Sequence, residues 1–460
     1  MVTQKPAIPK GTRDFGPAIM VRRNYILETI KKTYQQFGYL PLETPALENI
    51  SVLTGNYGDE GDQLLFKILN SGDFLSKVDK ADIDQGYKKL LPKISNKGLK
   101  YDLTVPFARF VAMNRHEINF PFKRYQIQPV WRADNPQMGR YREFYQCDAD
   151  VIGSESLICE AEIISLINQI LNQLGIHDFI LKMNHRSILA GISEEIGAPD
   201  KVAVLCVAID KLEKIGQEKV SRELEAKGFT PNSITRLFEI LEVSGTNQEI
   251  LSKLSQLLKK STPGTEGLKA IQQIFAYADN LVIGDHRVQF DPSLARGLSY
   301  YTGAIFEVQV NNQEIGSIGG GGRYDDLTSI FGLPGVSGVG FSFGVDRVYD
   351  VMEKLQLFPE FQNTQSQVLV TIFDDTTVIH ALQIVRELRK QGLTVEIFPD
   401  TVKLKKQLNH AHKKSIPFVI ILGPDEIANN QLTLKNMATG HQTSQDLNTT
   451  VNLINSTQSK

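Results

Sequence analysis

The stretch "RADNPQMGRYREFYQCDADVIG", residues 132–153, decides how this chain is read. If Arg140 to Val151 is a strand, its side chains alternate between two faces. The odd positions Tyr141, Tyr145, Cys147, Ala149 and Val151 make a mostly apolar face, interrupted by Glu143. The even positions carry Arg140, Arg142, Phe144, Gln146, Asp148 and Asp150, which puts guanidiniums, a ring, an amide and carboxylates in one row. The preceding "KRYQIQPVWR" alternates in the same way, with Arg124, Gln126, Gln128, Val130 and Arg132 on one side. The polar "ADNPQMG" between the two runs predicts a hairpin with a Pro- and Gly-bearing tip. A solvated sheet face is one explanation of the row. Against it, wet faces usually carry Lys, Glu, Ser and Thr. This row concentrates arginines, which suit phosphate, beside a ring that can stack on a base.

Downstream, "VSGVGFSFGVDRVYDVMEKL" (336–355) reads as a glycine-laced strand running into a helix near Asp346. Arg347 in that first turn opposes the helix dipole at a cost of roughly 0.3–1 kcal/mol. A bound anion would reverse the sign; local neutralisation by Asp346 is the alternative. "YYTGAIFEVQV" (300–310) has a strand pattern, and the glycine-rich "GSIGGGGRYDDL" (316–327) interrupts the strands that follow. No GxxxxGK[ST] occurs, which argues against P-loop phosphoryl transfer, and neither glycine run has the GxGxxG spacing. These glycines let backbone approach a ligand or let strands pack tightly. Arg296, in "LARGLSYYTG", sits at a loop-to-strand junction and taken alone is a surface arginine.

Upstream, 18–36 reads as a helix ended by Gly38, and "YLPLETPALE" (39–48) is extended, with Pro41 and Pro45 demoting it to an edge or interface strand. Four runs of helical spacing between 187 and 285 predict a helical insertion. After a linker near 358–366, "QVLVTIF", a helix over 376–391, "LTVEIF", a helix from Val402 and "IPFVIILG" predict a small α/β domain with a largely parallel sheet. Its "KLKKQLNHAHKK" (403–414) is basic without one acid, with Leu404, Leu408 and Ala411 as a candidate buried stripe. A solvated helix face explains that run equally well. His410 and His412 lack metal-binding spacing.

The chain has 460 residues, 41% hydrophobic and 22% charged, with net charge −2, the profile of an ordinary globular protein with room for two or three domains. Indiscriminate nucleic-acid binding is not indicated, while a specific partner stays open through a local basic patch. Cys147, Cys159 and Cys206 are odd in number and scattered, reading as reduced thiols rather than a disulfide or zinc framework. No run is long and apolar enough for a membrane span, and "MVTQKPAIPKG" lacks a signal-peptide core, so a cytoplasmic location without membrane association is expected.

Together these segments resemble the histidyl-tRNA synthetase family over nearly the full length. "FGYLPLETPALE" resembles class II motif 1, "VWRADNPQMGRYREF" motif 2 and "GVGFSFGVDRV" motif 3; "LARGLSYYTGAIFE" and "GGGGRYDDL" resemble the two signatures peculiar to the histidine enzymes. "YREFYQCDAD" and "YDLTVPFAR" are closer to the eukaryote-like branch. The resemblance implies an α+β fold: a class II antiparallel-sheet catalytic domain over 1–360, a helical insertion over 187–285, and a small α/β anticodon-binding domain over 366–460. It implies ligation of L-histidine to tRNA(His) with ATP through histidyl-adenylate, with Mg²⁺ escorting the triphosphate and a homodimer formed through motif 1.

Carried over by position, Arg132 would hold the α-phosphate and Arg140 the outer phosphates, Phe144 would stack on adenine, and Arg347 would clamp the γ-phosphate. Gln146 and Asp150 would contact the amino acid, Asp102 and Thr104 its amino and carboxylate groups, and Tyr300 and Tyr301 the imidazole. Arg132 and Arg296 would be the catalytic pair, with both also touching histidine. No strong nucleophile is needed, because the attacking carboxylate is already ionised; the site must supply alignment and charge neutralisation. Two departures stand out: Ser299 where the family usually has Asp, and Asp134 in place of the Glu common in bacterial motif 2. Gln137 in the tip is a candidate reader of the extra guanosine of tRNA(His). The rival readings are a catalytically dead synthetase-like sensor, which would tend to lose signature residues retained here, and a synthetase-like regulatory subunit of histidine biosynthesis, which would lack the last domain.

Overall fold

The computed structural model describes residues 5–55, 63–282, 287–295, 300–311, 315–360 and 366–458. The chain forms two compact units, Met1–Phe358 and Pro359–Lys460. In the first, an eight-stranded sheet runs in the order Leu40–Pro41, Phe122–Trp131, Glu143–Ile152, Gly338–Gly344, Gly319–Tyr324, Ala304–Val310, Phe179–His185, Val288–Phe290. All neighbours are antiparallel except the outermost pair at each edge. Pro41 thus sits in an edge strand, where its missing N–H costs no ladder bond.

The motif 2 strand begins at Glu143, not at Arg140. Gln137 and Arg140 bridge to each other and close the tip, while the Arg142 N–H goes to Gly11 O at 2.8 Å and its carbonyl accepts from Arg132 N at 3.0 Å. Arg140 and Arg142 therefore lie outside the strand row expected for them. Further along, the odd face is the core face: Cys147, Ala149 and Val151 pack with Ile26, Ile30 and Tyr34 of the helix Pro17–Gln36 and with the helix Ile158–Gln173. The even face is not a wet face at its far end. Asp148 and Asp150 are each only 2% exposed, on the side covered by the helix Thr104–Met113.

The glycine run is itself a strand, Gly319–Tyr324, paired on both sides. Its lack of side chains hides the alternation that normally reveals a strand. A Cβ on Gly321 would fall 2.1 Å from the carbonyl oxygen of Gly340, so only bare backbone fits there. Between Arg186–Glu195 and Thr262–Leu281 the chain is helical, with Thr230, Thr246 and Ser261 side chains capping three N-termini.

In the second unit five strands run in the order Val395–Ile397, Val368–Val370, Phe418–Ile421, Leu432–Asn436, Gln442–Gln445. The first two pairings are parallel and the last two antiparallel, so the sheet is mixed rather than largely parallel. The strands Leu432–Asn436 and Gln442–Gln445, joined around Gly440 (φ 75°), are short and polar and carry no clear alternation in sequence. On the helix Leu404–Lys413 the buried positions are Gln407 and Ala411, with Leu404 and Leu408 half-buried. Gln407 ties the helix to the chain just past the strand Val368–Val370 by accepting from Ile372 N at 3.0 Å and donating to Ile372 O at 2.6 Å. Among the described residues no helix is long and apolar enough to cross a membrane.

Candidate active site

Strand register carries the even row of the hairpin across the whole sheet. One line reads Arg124, Asp150, Gly340, Gly322, Ile305, Asn184 and the next Gln126, Asp148, Ser342, Gly320, Glu307, Lys182. A third begins Gln128, Gln146, Gly344. Residues opposite one another share a face, so this is a polar floor with a glycine gap at its centre.

At one end of the floor Asp150 is held from two sides. Arg124 Nη2 lies 2.9 Å from its Oδ2, and the Tyr324 hydroxyl donates to its Oδ1 at 2.7 Å. Arg124 is fully buried, with its guanidinium 4.3 Å from the Phe107 ring and 3.7 Å from Asp148 Oδ2. Gly340 makes room for the carboxylate, since a Cβ there would fall 2.0 Å from Asp150 Oδ1. Burial pushes Asp148 up to about 7 against the pull of Arg124, and it raises Asp150 in the same sense. Asp148 Oδ1 is buried without a hydrogen-bond partner.

Beside this pair, Asp102 accepts from the Tyr300 hydroxyl at 3.1 Å and from Val105 N at 3.2 Å, the latter at the start of the helix that Thr104 opens. Tyr300 stands edge-on to Tyr301 at 4.8 Å and to Tyr324 at 6.2 Å. Gln146 donates to Ser342 Oγ at 2.9 Å. Asp102, Thr104, Gln146, Asp150, Tyr300 and Tyr301 are thus grouped around this end.

Toward the tip the charge changes sign. Arg132 is oriented by the Tyr101 carbonyl (3.1 Å from Nε), lies over the Tyr101 ring, and has its guanidinium 5.2 Å from the ring centre of half-buried Phe144. Arg140 is in the tip turn, with Asp134 no nearer than 3.9 Å. Arg347 Nε donates to Gly139 O at 2.7 Å and Nη1 to Ser317 O at 2.5 Å. Asp346 is taken by Arg13, by Arg23 Nη1 at 2.6 Å and by Tyr145 N at 3.1 Å, so the local neutralisation of Arg347 considered from sequence is not the arrangement found. Arg142, though in the motif, spends its side chain on Asp134 O and Lys10 O.

Arg296 and Ser299 lie outside the described residues. Just before them, Asn184 donates to Pro292 O and Leu294 O at 3.1 and 2.9 Å, and Arg186 to Ala295 O at 3.2 Å. Sequence reasoning passed over Arg124, Asp148 and Tyr324 as site residues. Arg124 was legible as the cross-strand partner of Asp150, whereas Tyr324 was concealed by the glycine run. Lys100 was also missed. Its Nζ joins Thr44 O at 3.0 Å to Gln128 Oε1 at 2.6 Å, and burial lowers it to about 8.

From Asp150 to Phe144 the row spans roughly 20 Å. It can take a flat ligand with N–H or cationic groups at the carboxylate end and an anionic part at the arginine end. The carboxylate end lies under protein and sharpens these interactions by excluding water.

Comparison with known proteins accords with this geometry. The family model described as histidyl-tRNA synthetase matches residues 69–348, and the anticodon binding domain model matches 367–457. A histidine–tRNA ligase of Cytophaga hutchinsonii is 55% identical over 439 residues, covering 95% of this chain and 97% of that one. One of Phocaeicola vulgatus is 51% identical, covering 95% and 96%. Among solved structures, a Nostoc histidyl-tRNA synthetase superimposes with TM-score 0.80 at 30% identity, covering 98% of this chain and 99% of that one.

Proposed function

The chain belongs to the histidyl-tRNA synthetase family, and from that membership we propose how its residues carry the reaction. The protein is a histidine–tRNA ligase: it joins L-histidine to tRNA(His) using ATP. The histidine carboxylate attacks the α-phosphorus of ATP, the bond from that phosphorus to the pyrophosphate breaks, and histidyl-adenylate forms. A ribose hydroxyl at the tRNA 3′ end then takes the histidyl group and AMP leaves.

Asp150 accepts the imidazole N–H, with Arg124 opposing the effect of burial on its charge and Tyr324 orienting it. An apolar competitor would leave the ligand-facing lone pair of that buried carboxylate without a donor, and sites of this kind discriminate by about 10⁴–10⁵. Tyr300 and Tyr301 close over the ring; Asp102 and Gln146 take the α-amino group, and Thr104 reaches the carboxylate end. Arg132, with Arg296, neutralises the charge that grows at the α-phosphate, and losing such a donor costs about 10²–10³ in rate. Phe144 stacks on adenine, while Arg140 and Arg347 hold the outer phosphates. Among the described residues no group of three or more His, Cys, Asp or Glu could hold a metal ion. Mg²⁺ would be carried by the triphosphate, with at most one or two protein carboxylates beside it, and would supply charge neutralisation there. The exposed edge segment bearing Leu40 and Leu47 is the surface of a homodimer.

The observation that carries this reading is the reversal of charge along one sheet face, from Asp150 gripped by Arg124 and Tyr324 to Arg132 beside Phe144. Exchange of label between pyrophosphate and ATP tests it. Exchange is expected with histidine and with no other amino acid; exchange that ignores the amino acid supplied, or none at all, overturns it.

A further inference from the structure

The N-terminal stretch "KGTRDFGP", residues 10–17, has no part in the chemistry above, yet it is built into the hairpin tip. Gly11 O accepts from Arg142 N at 2.8 Å, and Lys10 O accepts from Arg142 Nη1 at 3.4 Å. Gly11 has a φ of 87°, and a Cβ there would lie 2.8 Å from side-chain atoms of both Pro136 and Arg142, so the tip rests on bare backbone. Two residues on, Arg13 bonds Asp346 and lays its guanidinium 3.3 Å from the centre of the Tyr141 ring. Asp346 belongs to the first turn of the helix Val345–Lys354, the same turn that sends Arg347 to the tip carbonyl of Gly139.

We infer that residues 10–13 are a positioning element of the ATP site, with Arg13 fixing the hairpin tip against the helix start and so setting how Arg132, Arg140 and Arg347 are spaced around the phosphates. The inference rests on the reading of the site given above. Arg13 is separable from the fold's own fastening, because Asp346 is also held by buried Arg23 at 2.6 Å and by Tyr145 N at 3.1 Å. What Arg13 adds is a guanidinium stacked, at the base of the tip, on the ring of Tyr141, whose hydroxyl donates to Asp350 Oδ2 at 3.2 Å on the same helix. Its loss should loosen the phosphate arginines and leave the Asp150 end of the floor, on the far side of Phe144, as it was.

The test is pyrophosphate–ATP exchange by full-length Arg13→Gln and Arg13→Lys, with ATP and histidine varied separately. In Arg13→Gln the KM for ATP is expected to rise about tenfold and that for histidine to stay within about twofold, as fits a displaced contact group. Arg13→Lys should fall between, since lysine can pair with Asp346 but cannot stack flat on a ring. Hydrogen exchange of the 132–142 amides should quicken in Arg13→Gln. Should that variant prove too unstable to assay, Tyr141→Leu, which removes the ring beneath Arg13, carries the same expectation. An unchanged KM for ATP, or equal rises for both substrates with a lower melting temperature, overturns the proposal. A wild-type protein without histidine-dependent exchange would instead count against the reading of the site itself.

Discussion

Two carboxylates share one buried guanidinium at one end of the floor, and their titration is open to measurement. Asp148 stands near 7 in the folded chain against an ordinary value of 3.8, because burial outweighs the attraction of Arg124. Below about pH 4 both the folded and the unfolded chain hold this proton. As pH rises toward 7 the unfolded chain releases it while the folded chain keeps it, so the stability this group lends at low pH is lost across that window. Asp150 pulls in the same direction, while Arg124, Tyr324, Ser342, Asp102 and Lys100 also face the pair. Asp148→Asn removes the titration. Its melting temperature relative to wild type should climb from pH 4 to about pH 8 and level off above. A difference that is flat with pH would show that the carboxyl is not raised. The alternation of residues 144–150 told which side chains share a face; that the far end of the face is covered depends on a helix some forty residues upstream, which periodicity within the strand does not report.

Among the elements, the two glycine-bearing strands have distinct duties that substitution can separate. At Gly340 a methyl group would meet the end of the Asp150 side chain at 2.0 Å, which can rotate away only by leaving Arg124 and Tyr324. At Gly321 it would meet the Gly340 carbonyl at 2.1 Å, and backbone has nowhere to go. Gly340→Ala is therefore expected to fold and to raise the KM for histidine by about tenfold to a hundredfold, the scale of a lost charge-assisted hydrogen bond. Gly321→Ala is expected not to give soluble folded protein. Exchange kinetics and thermal melts on the two variants check both statements; equal behaviour of the pair would contradict them. These strands also mark the limit of sequence reading. Gly338–Gly344 was legible because Val339, Phe341 and Phe343 alternate with small residues. Gly319–Tyr324 was not, because four consecutive glycines have no alternation to show. The hairpin tip was misjudged by three residues for a different reason: Tyr141 and Arg142 have strand-like composition, but the Arg142 N–H is claimed by Gly11 O, a contact between residues more than a hundred positions apart.

The whole molecule divides its work between two units that each close their own core. In the first, apolar clusters line both faces of the eight-stranded sheet; in the second, Val368, Val370, Leu388, Phe418 and Ile454 form a separate one. Every residue assigned above to histidine or ATP lies in Met1–Phe358, and the anticodon-binding match lies in 367–457. Adenylate formation needs only histidine, ATP and the sheet floor, whereas transfer also needs the tRNA end to be delivered. A chain ending at Phe358 should thus keep histidine-dependent pyrophosphate exchange near the full-length rate. Its charging of tRNA(His) at limiting tRNA should fall by at least about tenfold, equivalent to losing ~1.4 kcal/mol of tRNA binding. Raising the tRNA concentration should recover part of the charging, because contacts that hold tRNA act on binding rather than on the chemical step. Loss of exchange in a truncated chain that melts cooperatively would mean that the second unit takes part in building the first unit's site. Equal charging by the two chains at low tRNA would mean that the second unit contributes nothing to holding this tRNA.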